Sequence, residues 1–389
     1  MKQRIYFDHN ASSPLRPEAR EAMLRVMDMR GNPSSIHAEG RTLKGEIERG
    51  RRSVANLVGA QPNQVFFTSG ATEAANWALR PAWDHRNHLQ FVPLASEHPC
   101  VFHEESDESA VIPIDRRGVG KFAAWSASHS HWKTQFPSAG EGVGYFVAVQ
   151  RANSETGVIQ PWSAVVDSIV SDRCTLVCDA VQAAGRVSVE IGALQCEALL
   201  LSAHKLGGPA GIGALVVADP ERMPLSQLEG GGQERRRRAG TENVVGTAGF
   251  GAAAEAALRD LDDMPRIRRM RDRLEAGLVD LSGKWGAILH IFGQEAERLP
   301  NTSCFAVEGV SAQTALMSLD LDGFAVSSGS ACSSGKVGPS HVLKAMGVAD
   351  AVAACAIRVS LGWTNEEDDI PAFLAAYERI LARSVKRAA

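Results

Sequence analysis

Apolar residues along the chain fall into short runs that alternate with longer stretches of helical spacing. The runs hold four or five residues rich in Val, Leu and Phe and end in glycine or small polar residues, which is typical of buried strands. The strands predicted in this way are residues 64–68, 90–94, 145–149, 175–178, 198–201 and 213–217. Because helical segments separate the runs, the pattern predicts an α/β fold with a mainly parallel sheet.

Two amphipathic helices are predicted near the start of the chain, at residues 17–30 and 40–57. The sequence Gly-Asn-Pro around Asn32 breaks the helical pattern between them, as a turn does. Residues 102–144 are polar and irregular, and we expect a surface loop there.

The helical stretches on either side of Asp260 mark a predicted domain boundary. The length of 389 residues suits two closely joined domains. We predict a large domain of residues 15–260 and a small domain formed by residues 1–14 and 261–389. Strands predicted in the small domain are residues 303–307 and 324–326.

Composition narrows the classes of function. A hydrophobic content of 44% supports a large core, and a net charge of −4 gives no general attraction to nucleic acid or acidic membranes. The seven cysteines are scattered and form no Cys-x-x-Cys pair, which favours reduced thiols and a cytoplasmic location. No apolar run reaches transmembrane length, and Lys2 and Arg4 place charge too early for a secretory signal.

Polar residues follow the ends of several predicted strands. The residues concerned are Thr72, His98, Asn153, Asp179 and Lys205. Because ligands of parallel α/β sheets bind at the carboxyl ends of strands, these side chains are expected to meet in one crevice.

The residue types in this group suggest a particular chemistry. A lysine just after an apolar strand, as at Lys205, can be a nucleophile towards an aldehyde because apolar surroundings lower its pKa. The small residues at 69–71 open a helix whose first N–H groups suit a phosphate. Asp179 suits the nitrogen of a pyridine ring, and His98 suits stacking and proton transfer. The simpler alternatives are that Lys205 is a surface lysine in a loop, that Thr72 and Asp179 cap helices, and that His98 is a loop histidine.

Three further residues have a structural and a functional interpretation. Cys332 lies in the Ser/Gly-rich stretch 327–335, which is expected to be mobile, and an exposed thiol there suggests reactivity. Arg358 either forms a salt bridge at the edge of the core or binds a carboxylate through two parallel hydrogen bonds. Asn32 is either a turn residue or a ligand for the substrate.

Four segments, taken in order, resemble the motifs of one enzyme family. Residues 68–73, 202–205, 240–243 and 327–332 read Thr-Ser-Gly-Ala-Thr-Glu, Ser-Ala-His-Lys, Gly-Thr-Glu-Asn and Ser-Ser-Gly-Ser-Ala-Cys. They resemble cysteine desulfurases of the NifS/IscS family, which belong to the class V aminotransferases, and the resemblance covers nearly the whole chain. It implies a homodimeric pyridoxal 5'-phosphate enzyme of fold type I, with a seven-stranded sheet in the large domain and a smaller α+β domain.

The resemblance also implies roles for individual residues. Lys205 would bind the cofactor covalently, Asp179 would pair with the ring nitrogen, and His98 would stack on the ring. The other implied cofactor contacts are Ala71, Thr72, Ser202 and His204 at the phosphate, Gln182 at the ring hydroxyl, and Thr241 from the second subunit. The implied ligands of the substrate carboxylate are Asn32 and Arg358.

The sequence departs from the family pattern in two places. Asn153 is followed by Ser154 where the family has a second asparagine, so either residue is a candidate for the ring hydroxyl. The chain also ends sooner after Gly362 than in members with a scaffold-binding tail, which leaves the choice of partner open.

The activity implied by the resemblance is the conversion of L-cysteine to L-alanine, with the sulfur collected by Cys332 as a persulfide. The expected partner is a sulfur acceptor, with an iron–sulfur scaffold as the default, and neither a membrane nor a nucleic acid is expected. The alternatives are a selenocysteine lyase, a class V aminotransferase, or a sulfur-carrying scaffold without catalysis.

Overall fold

The structure is a computed structural model that describes residues 4–83, 90–102, 110–129, 145–170, 174–222, 226, 228–329 and 340–388. Its strands are β1 Ile5–Tyr6, β2 Val65–Thr68, β3 Gln90–Pro93, β4 Tyr145–Gln150, β5 Cys174–Asp179, β6 Ala198–Ser202, β7 Gly213–Val217, β8 Leu289–Ile291, β9 Thr302–Val307, β10 Phe324–Ala325, β11 Ser327–Ser328 and β12 Ala356–Ser360. Its helices are α1 Pro17–Met27, α2 Ala38–Leu57, α3 Ala71–Trp83, α4 Phe122–Ser128, α5 Trp162–Ile169, α6 Ile191–Leu194, α7 Gln233–Arg236, α8 Val244–Arg259, α9 Met264–Trp285, α10 Ala312–Leu321, α11 His341–Ala345, α12 Asp350–Ala353 and α13 Asp369–Ala388.

The central sheet has the strand order β2-β7-β6-β5-β4-β3. Strands β3 to β6 pair in parallel, and β7 is antiparallel to both of its neighbours. Every residue of β6 and β7 is buried, as is usual for central strands covered by helices on both faces. The predicted α/β fold with a mainly parallel sheet is confirmed.

The central sheet has six strands in the described part of the chain, not the seven that the resemblance implies. Beside the edge strand β3, Ile112 makes a single parallel bridge with Leu94. The next residue, Pro113, has no N–H to extend that pairing, so the seventh position of the sheet is a bridge and not a strand.

A second sheet, of order β11-β12-β9-β8, is antiparallel. It shares a hydrophobic cluster with α9 and α13, in which Phe7, Phe305 and Phe373 are fully buried. Phe7 follows β1, which pairs in parallel with β10, so the start of the chain packs with its last third. This cluster draws on the residues of the predicted small domain, and α8 ends next to Asp260. The division into two domains stays a prediction.

Helices α2 and α8 approach closely at two glycines. A Cβ atom on Gly251 would lie 2.5 Å from Cα of Gly50, and one on Gly50 would lie 2.6 Å from the carbonyl oxygen of Thr247. Distances this short exclude any side chain, so the contact depends on glycine at both positions. The pair fixes α8 against α2 on the face of the central sheet.

Helix α4 lies within the stretch that was expected to be a surface loop. Phe122 and Trp125 on this helix are buried in the main core, and the ring of His129 stacks on Trp125 with centroids 4.7 Å apart. The expectation of a loop is therefore wrong for residues 122–128, because two aromatic anchors stabilise a helix too short for its periodicity to show. Among the helices of the described ranges, none is both long and apolar enough to cross a bilayer.

Candidate active site

A cavity of about 300 Å³ opens at the carboxyl ends of the parallel strands. Such an edge is where α/β sheets bind ligands. The predicted site residues that line the cavity are Ala71, Thr72, His98, Ser154, Asp179, Gln182, Ser202, His204 and Lys205. The five segments that follow β2, β3, β4, β5 and β6 therefore meet there, as the pattern of strand ends predicts.

Lys205 ends a short 3₁₀ turn that directly follows β6. Its Nζ donates hydrogen bonds to the backbone oxygens of Asn10 and Ala11, at 2.7 Å each. Gln182 Nε2 also donates to the oxygen of Asn10, at 2.9 Å. One backbone carbonyl of the N-terminal segment thus orients two of the predicted site residues.

Helix α3 begins at the cavity with Ala71 and Thr72, and Gly70 precedes it. Gly213 of the adjacent strand approaches so closely that a Cβ atom there would lie 2.6 Å from the backbone of Gly70. Glu73 accepts a hydrogen bond from the Ser69 N–H at 2.6 Å and so fixes the turn before the helix. The first N–H groups of α3 form an anion site of the kind that binds phosphate.

Asp179 is the last residue of β5 and faces the cavity. Burial raises the pKa of its carboxyl, whereas the N–H of Val181, which donates to Oδ1 at 2.9 Å, acts in the opposite direction. The positive charges of His98 and Lys205 also favour the carboxylate. Asp179 is therefore a carboxyl at the cavity wall whose charge depends on nearby cationic groups.

The ring of His98 has a defined tautomer. The backbone N–H of Cys100 donates to His98 Nδ1 at 3.1 Å, so the proton of the neutral ring is on Nε2. Burial lowers the pKa of His98, although the charge of Asp179 opposes this shift. Cys100 also lines the cavity, and its Sγ lies 3.0 Å from His98 Nδ1. Burial raises the pKa of this thiol, which keeps it protonated.

Sequence reasoning missed Glu97 and Gln150, which support the site from behind. Glu97 is fully buried, and its Oε1 accepts the backbone N–H of Gln150. Burial raises the pKa of Glu97 well above its usual range, and the charge of Asp179 adds to this shift. Gln150 ends β4, lines the cavity and donates to the carbonyl oxygen of Ser96 at 2.6 Å. The position of Gln150 at a strand end was the signal available in the sequence.

Asn153 and Ser154 differ in where they point. The Oδ1 of Asn153 accepts hydrogen bonds from the N–H groups of Glu155 and Thr156 at 2.9 Å each, and its Nδ2 donates to Ser96 at 3.2 Å. Asn153 is buried and does not line the cavity, whereas Ser154 does. The geometry favours Ser154 as the residue that faces a ligand.

His204 and Ser202 lie on the same wall as Lys205. Burial, together with the positive charges of Lys205 and Arg186, lowers the pKa of His204 to about 4. The ring of His204 is therefore neutral at pH 7, and its Nδ1 lies 3.3 Å from Ser12 Oγ.

Arg358 lies behind the cavity wall and not on it. Its side chain is fully buried, with Nη2 2.7 Å from Asp8 Oδ1 and Nη1 3.2 Å from the carbonyl oxygen of Ser154. This is the salt bridge that the structural interpretation anticipated. Its predicted role at the substrate carboxylate stays a prediction, and it requires that the carboxylate reach past Ser154 or replace Asp8.

Two other predicted residues, Asn32 and Thr241, do not line the cavity. Asn32 is exposed, and its Oδ1 accepts the Ser34 N–H at 2.9 Å, as in a turn. Thr241 is exposed just before α8. Cys332 lies outside the described residues.

The described ends of the segment that carries Cys332 are both held by carboxylates. Ser327 Oγ donates to Asp8 Oδ2 at 2.7 Å, and Ser340 Oγ donates to Glu155 Oε2 at 2.5 Å. These contacts lie next to Arg358 and Ser154, respectively. Asp8 is the ion-pair partner of Arg358, and Glu155 follows Ser154 of the cavity wall in the chain.

The arginine-rich stretch forms a strained turn. Glu234, Arg235 and Arg236 all have positive φ angles, of 42°, 56° and 64°. Glu234 pairs through both carboxylate oxygens with Arg51 at 2.7 and 2.8 Å, and Arg238 pairs with Glu73 at 3.0 Å. These ion pairs hold the turn against α2 and the start of α3, and they compensate for the strain.

Known proteins are similar to this chain over almost its whole length. A profile of the aminotransferase class-V family matches residues 5–373. The cysteine desulfurase IscS of Methanosarcina thermophila is 34% identical, over 97% of this chain and 92% of that protein. The cysteine desulfurase of Cereibacter sphaeroides is 38% identical, over 93% of this chain and 92% of that protein.

Solved structures also superpose on nearly the whole of this chain. The NifS-like protein of Rickettsia africae superposes with a TM-score of 0.84 at 29% identity, covering 98% of this chain and 100% of that chain. SspA in complex with cysteine superposes with a TM-score of 0.72 at 24% identity, which shows a shared fold; the match covers 92% of this chain and 98% of that chain.

Proposed function

The chain belongs to the class-V aminotransferase family, and we propose that it is a cysteine desulfurase that converts L-cysteine to L-alanine and collects the sulfur on Cys332. The observation that carries this proposal is the cavity itself, where Lys205, Asp179 and His98 meet the start of α3. Relatives named cysteine desulfurase that match nearly the full chain support the same activity.

The residues of the cavity fit pyridoxal 5'-phosphate. The first N–H groups of α3 suit the phosphate, Asp179 suits the ring nitrogen, and Lys205 supplies the amine that would hold the aldehyde. Ser154 and Gln182 are the candidates for the ring hydroxyl, and Asn153 is the less favoured one because its amide is used within the loop. When bound, the cofactor supplies an electron-withdrawing ring that makes the Cα–H bond of an amino acid acidic.

Lys205 is proposed to move the Cα proton of the substrate. Its Nζ must first leave the carbonyl oxygens of Asn10 and Ala11, which lie only 2.7 Å away. Asp179 would stabilise positive charge at the ring nitrogen, because the Val181 N–H and nearby positive charge favour its carboxylate form against the effect of burial on its pKa. His98, whose proton is on Nε2, is a second group that can donate a proton at the cavity.

Cys332 is proposed to take the sulfur atom. Its thiolate attacks the substrate sulfur, the Cβ–S bond breaks, and a proton is delivered to Cβ, so that cysteine becomes alanine and the enzyme thiol becomes a persulfide. The contacts of Ser327 with Asp8 and of Ser340 with Glu155 support this role, because Asp8 pairs with Arg358 and Glu155 is the chain neighbour of Ser154, which lines the cavity.

We further propose a cytoplasmic homodimer. Thr241 is exposed, which suits a residue that contacts the cofactor of the second subunit. Asn32 and Arg358 remain the proposed ligands of the substrate carboxylate. A sulfur-acceptor protein, by default an iron–sulfur scaffold, is the proposed partner.

The proposal is tested by incubating the purified protein with pyridoxal 5'-phosphate and L-cysteine. We expect equal amounts of alanine and sulfane sulfur without added keto acid. Cys332→Ala should keep the visible absorbance of the cofactor but lose persulfide formation, and Cys174→Ala is the matched control that should keep both. Keto-acid-dependent transamination would indicate an aminotransferase, and turnover of selenocysteine alone would indicate a selenocysteine lyase.

A further inference from the structure

Arg186 is a buried cation directly behind the wall that carries Lys205. It follows the turn after β5, where Gly185 has a φ of +71° and a Cβ atom would lie 2.7 Å from Leu206. Glycine at this position lets the chain turn back tightly, so the next side chain enters the interior. The side chain of Arg186 is consequently buried between the N-terminal segment and the Lys205 turn.

Within the described residues, the guanidinium of Arg186 donates to uncharged oxygens. Nη1 donates to the carbonyl oxygen of Gln182 at 2.6 Å and to its Oε1 at 2.8 Å. Nη2 donates to the carbonyl oxygens of His9 and Lys205 at 3.3 Å each. Its hydrogen bonds therefore reach two residues that line the cavity, Lys205 and Gln182.

Arg186 differs in this respect from the other buried arginines of the described chain. Each of those has a carboxylate within ion-pair distance, as Arg51 has in Glu234 and Arg298 has in Glu275. The full set of these paired arginines is Arg16, Arg51, Arg271, Arg298 and Arg358. A buried charge without a counter-charge is costly, and burial together with the charge of Arg358 lowers the pKa of Arg186 to about 10.

The uncompensated charge acts on the groups around it. The positive charge of Arg186 lowers the pKa of both His9 and His204. The guanidinium also lies 3.3 Å from the carbonyl oxygen of Lys205, and a positive charge near an amine favours the neutral form of that amine. The charged and titratable groups that surround Arg186 and the Lys205 amine are His9, Arg16, His98, Asp179, His204 and Arg358.

We propose that Arg186 is a positioning residue for the cofactor reaction. It fixes the Lys205 turn and the Gln182 amide from behind the cavity, and its unpaired charge favours the uncharged nitrogen of Lys205. This inference rests on the proposed function, because it assigns Lys205 to pyridoxal 5'-phosphate. The two effects are separable, since the hydrogen bonds depend on the shape of the guanidinium and the field depends only on its charge.

The test compares Arg186→Met, which removes charge and donors, with Arg186→Lys, which keeps the charge but loses the planar fork. The readouts are the pH midpoint of the visible absorbance change of bound cofactor and the dissociation constant of pyridoxal 5'-phosphate. We expect Arg186→Met to raise the midpoint by about one pH unit, because a cationic nitrogen becomes more favourable without the charge. Arg186→Lys should keep the midpoint of the unchanged protein but weaken cofactor binding several-fold.

A double variant, Arg298→Met with Glu275→Met, is the matched control because it removes a buried guanidinium together with its partner. It should leave the midpoint and the affinity unchanged. An unmoved midpoint in Arg186→Met overturns the inference, and so does a midpoint that shifts equally in Arg186→Lys. If Arg186→Met does not fold, Arg186→Gln replaces it with the same expectation.

Failure of the inference and failure of the proposed function give different results. If the unchanged protein binds no pyridoxal 5'-phosphate at Lys205 or releases no alanine from cysteine, the proposed function is wrong. If it does both, and the Arg186 variants behave like the unchanged protein, only the role of Arg186 is wrong.

Discussion

Asp8 Oδ1 lies 2.7 Å from Arg358 Nη2, and the two residues are 350 positions apart in the chain. Arg358 is fully buried, so the carboxylate of Asp8 compensates a charge that water does not reach. The other oxygen of Asp8 accepts a hydrogen bond from Ser327 at 2.7 Å. The ion pair thus joins the start of the chain to β12 and to the first residue of β11.

Asp8→Asn should lower the free energy of unfolding by about 3 kcal/mol, because it leaves the buried guanidinium of Arg358 without a counter-charge. Urea denaturation monitored by circular dichroism measures the change. The control is Asp320→Asn, which breaks an exposed ion pair with Arg4 and should cost less than about 1 kcal/mol. Similar losses in the two variants would contradict the predicted difference.

His9 should make the protein sensitive to acid. Burial lowers the pKa of His9 to about 3, and the positive charges of Arg186 and Arg16 act in the same direction. The unfolded chain takes up a proton near pH 6.5 that the folded protein refuses, so stability is lost as the pH falls from about 6.5 towards 3, by about 1.4 kcal/mol per pH unit. His9→Asn should reduce the slope of unfolding free energy against pH by this amount, and parallel slopes would refute the prediction.

Arg236→Gly should stabilise the protein. Arg236 is exposed and has a φ of 64°, a conformation that costs an L-residue about 1 kcal/mol more than glycine. We expect a gain of about 1 kcal/mol in thermal or urea unfolding. Arg237→Gly is the control one residue further on, where φ is −98° and glycine should bring a small loss. If both substitutions destabilise, the strain at Arg236 is not relieved by glycine.

Gly50→Ala should destabilise the protein by about 2–3 kcal/mol, because the new methyl group would overlap the backbone oxygen of Thr247, 2.6 Å away. Gly45→Ala on the same helix is the matched control. A Cβ atom at Gly45 meets nothing within 4 Å, so alanine should stabilise the helix by about 0.5–1 kcal/mol. Urea unfolding of the two variants gives opposite signs, and equal signs would contradict the close approach of α2 and α8.

The strand pattern predicted the central sheet and the place of the cavity well, because both depend on local features. Apolar runs mark buried strands, and the residues after them must lie at one edge of a parallel sheet. This reasoning predicts that Thr72, His98, Asp179 and Lys205 lie together, and all four line the cavity. Asn153 does not line the cavity, because its side-chain oxygen accepts hydrogen bonds from the N–H groups of Glu155 and Thr156 in its own loop. The position of a residue after a strand does not determine the direction of its side chain.

The supporting groups could not be predicted, because they depend on contacts between distant segments. Nothing in the pattern pairs Asp8 with Arg358 or places Glu97 beneath the N–H of Gln150. The burial of Arg186 without a carboxylate likewise depends on how three segments pack. Helix α4 was missed because two buried aromatic side chains stabilise it, and seven residues show too little periodicity.

Residues 5–13 hold the Lys205 amine through the oxygens of Asn10 and Ala11, and they are themselves held by β10 and β12. On the ribosome this segment emerges on the order of tens of seconds before Ala325 and Ser360 are synthesised. Until then residues 5–13 have neither β10 nor β12 to pair with, so nothing fixes the oxygens of Asn10 and Ala11 beside the lysine. A chain that ends before Ala325 is therefore expected to leave the Lys205 amine without a fixed position.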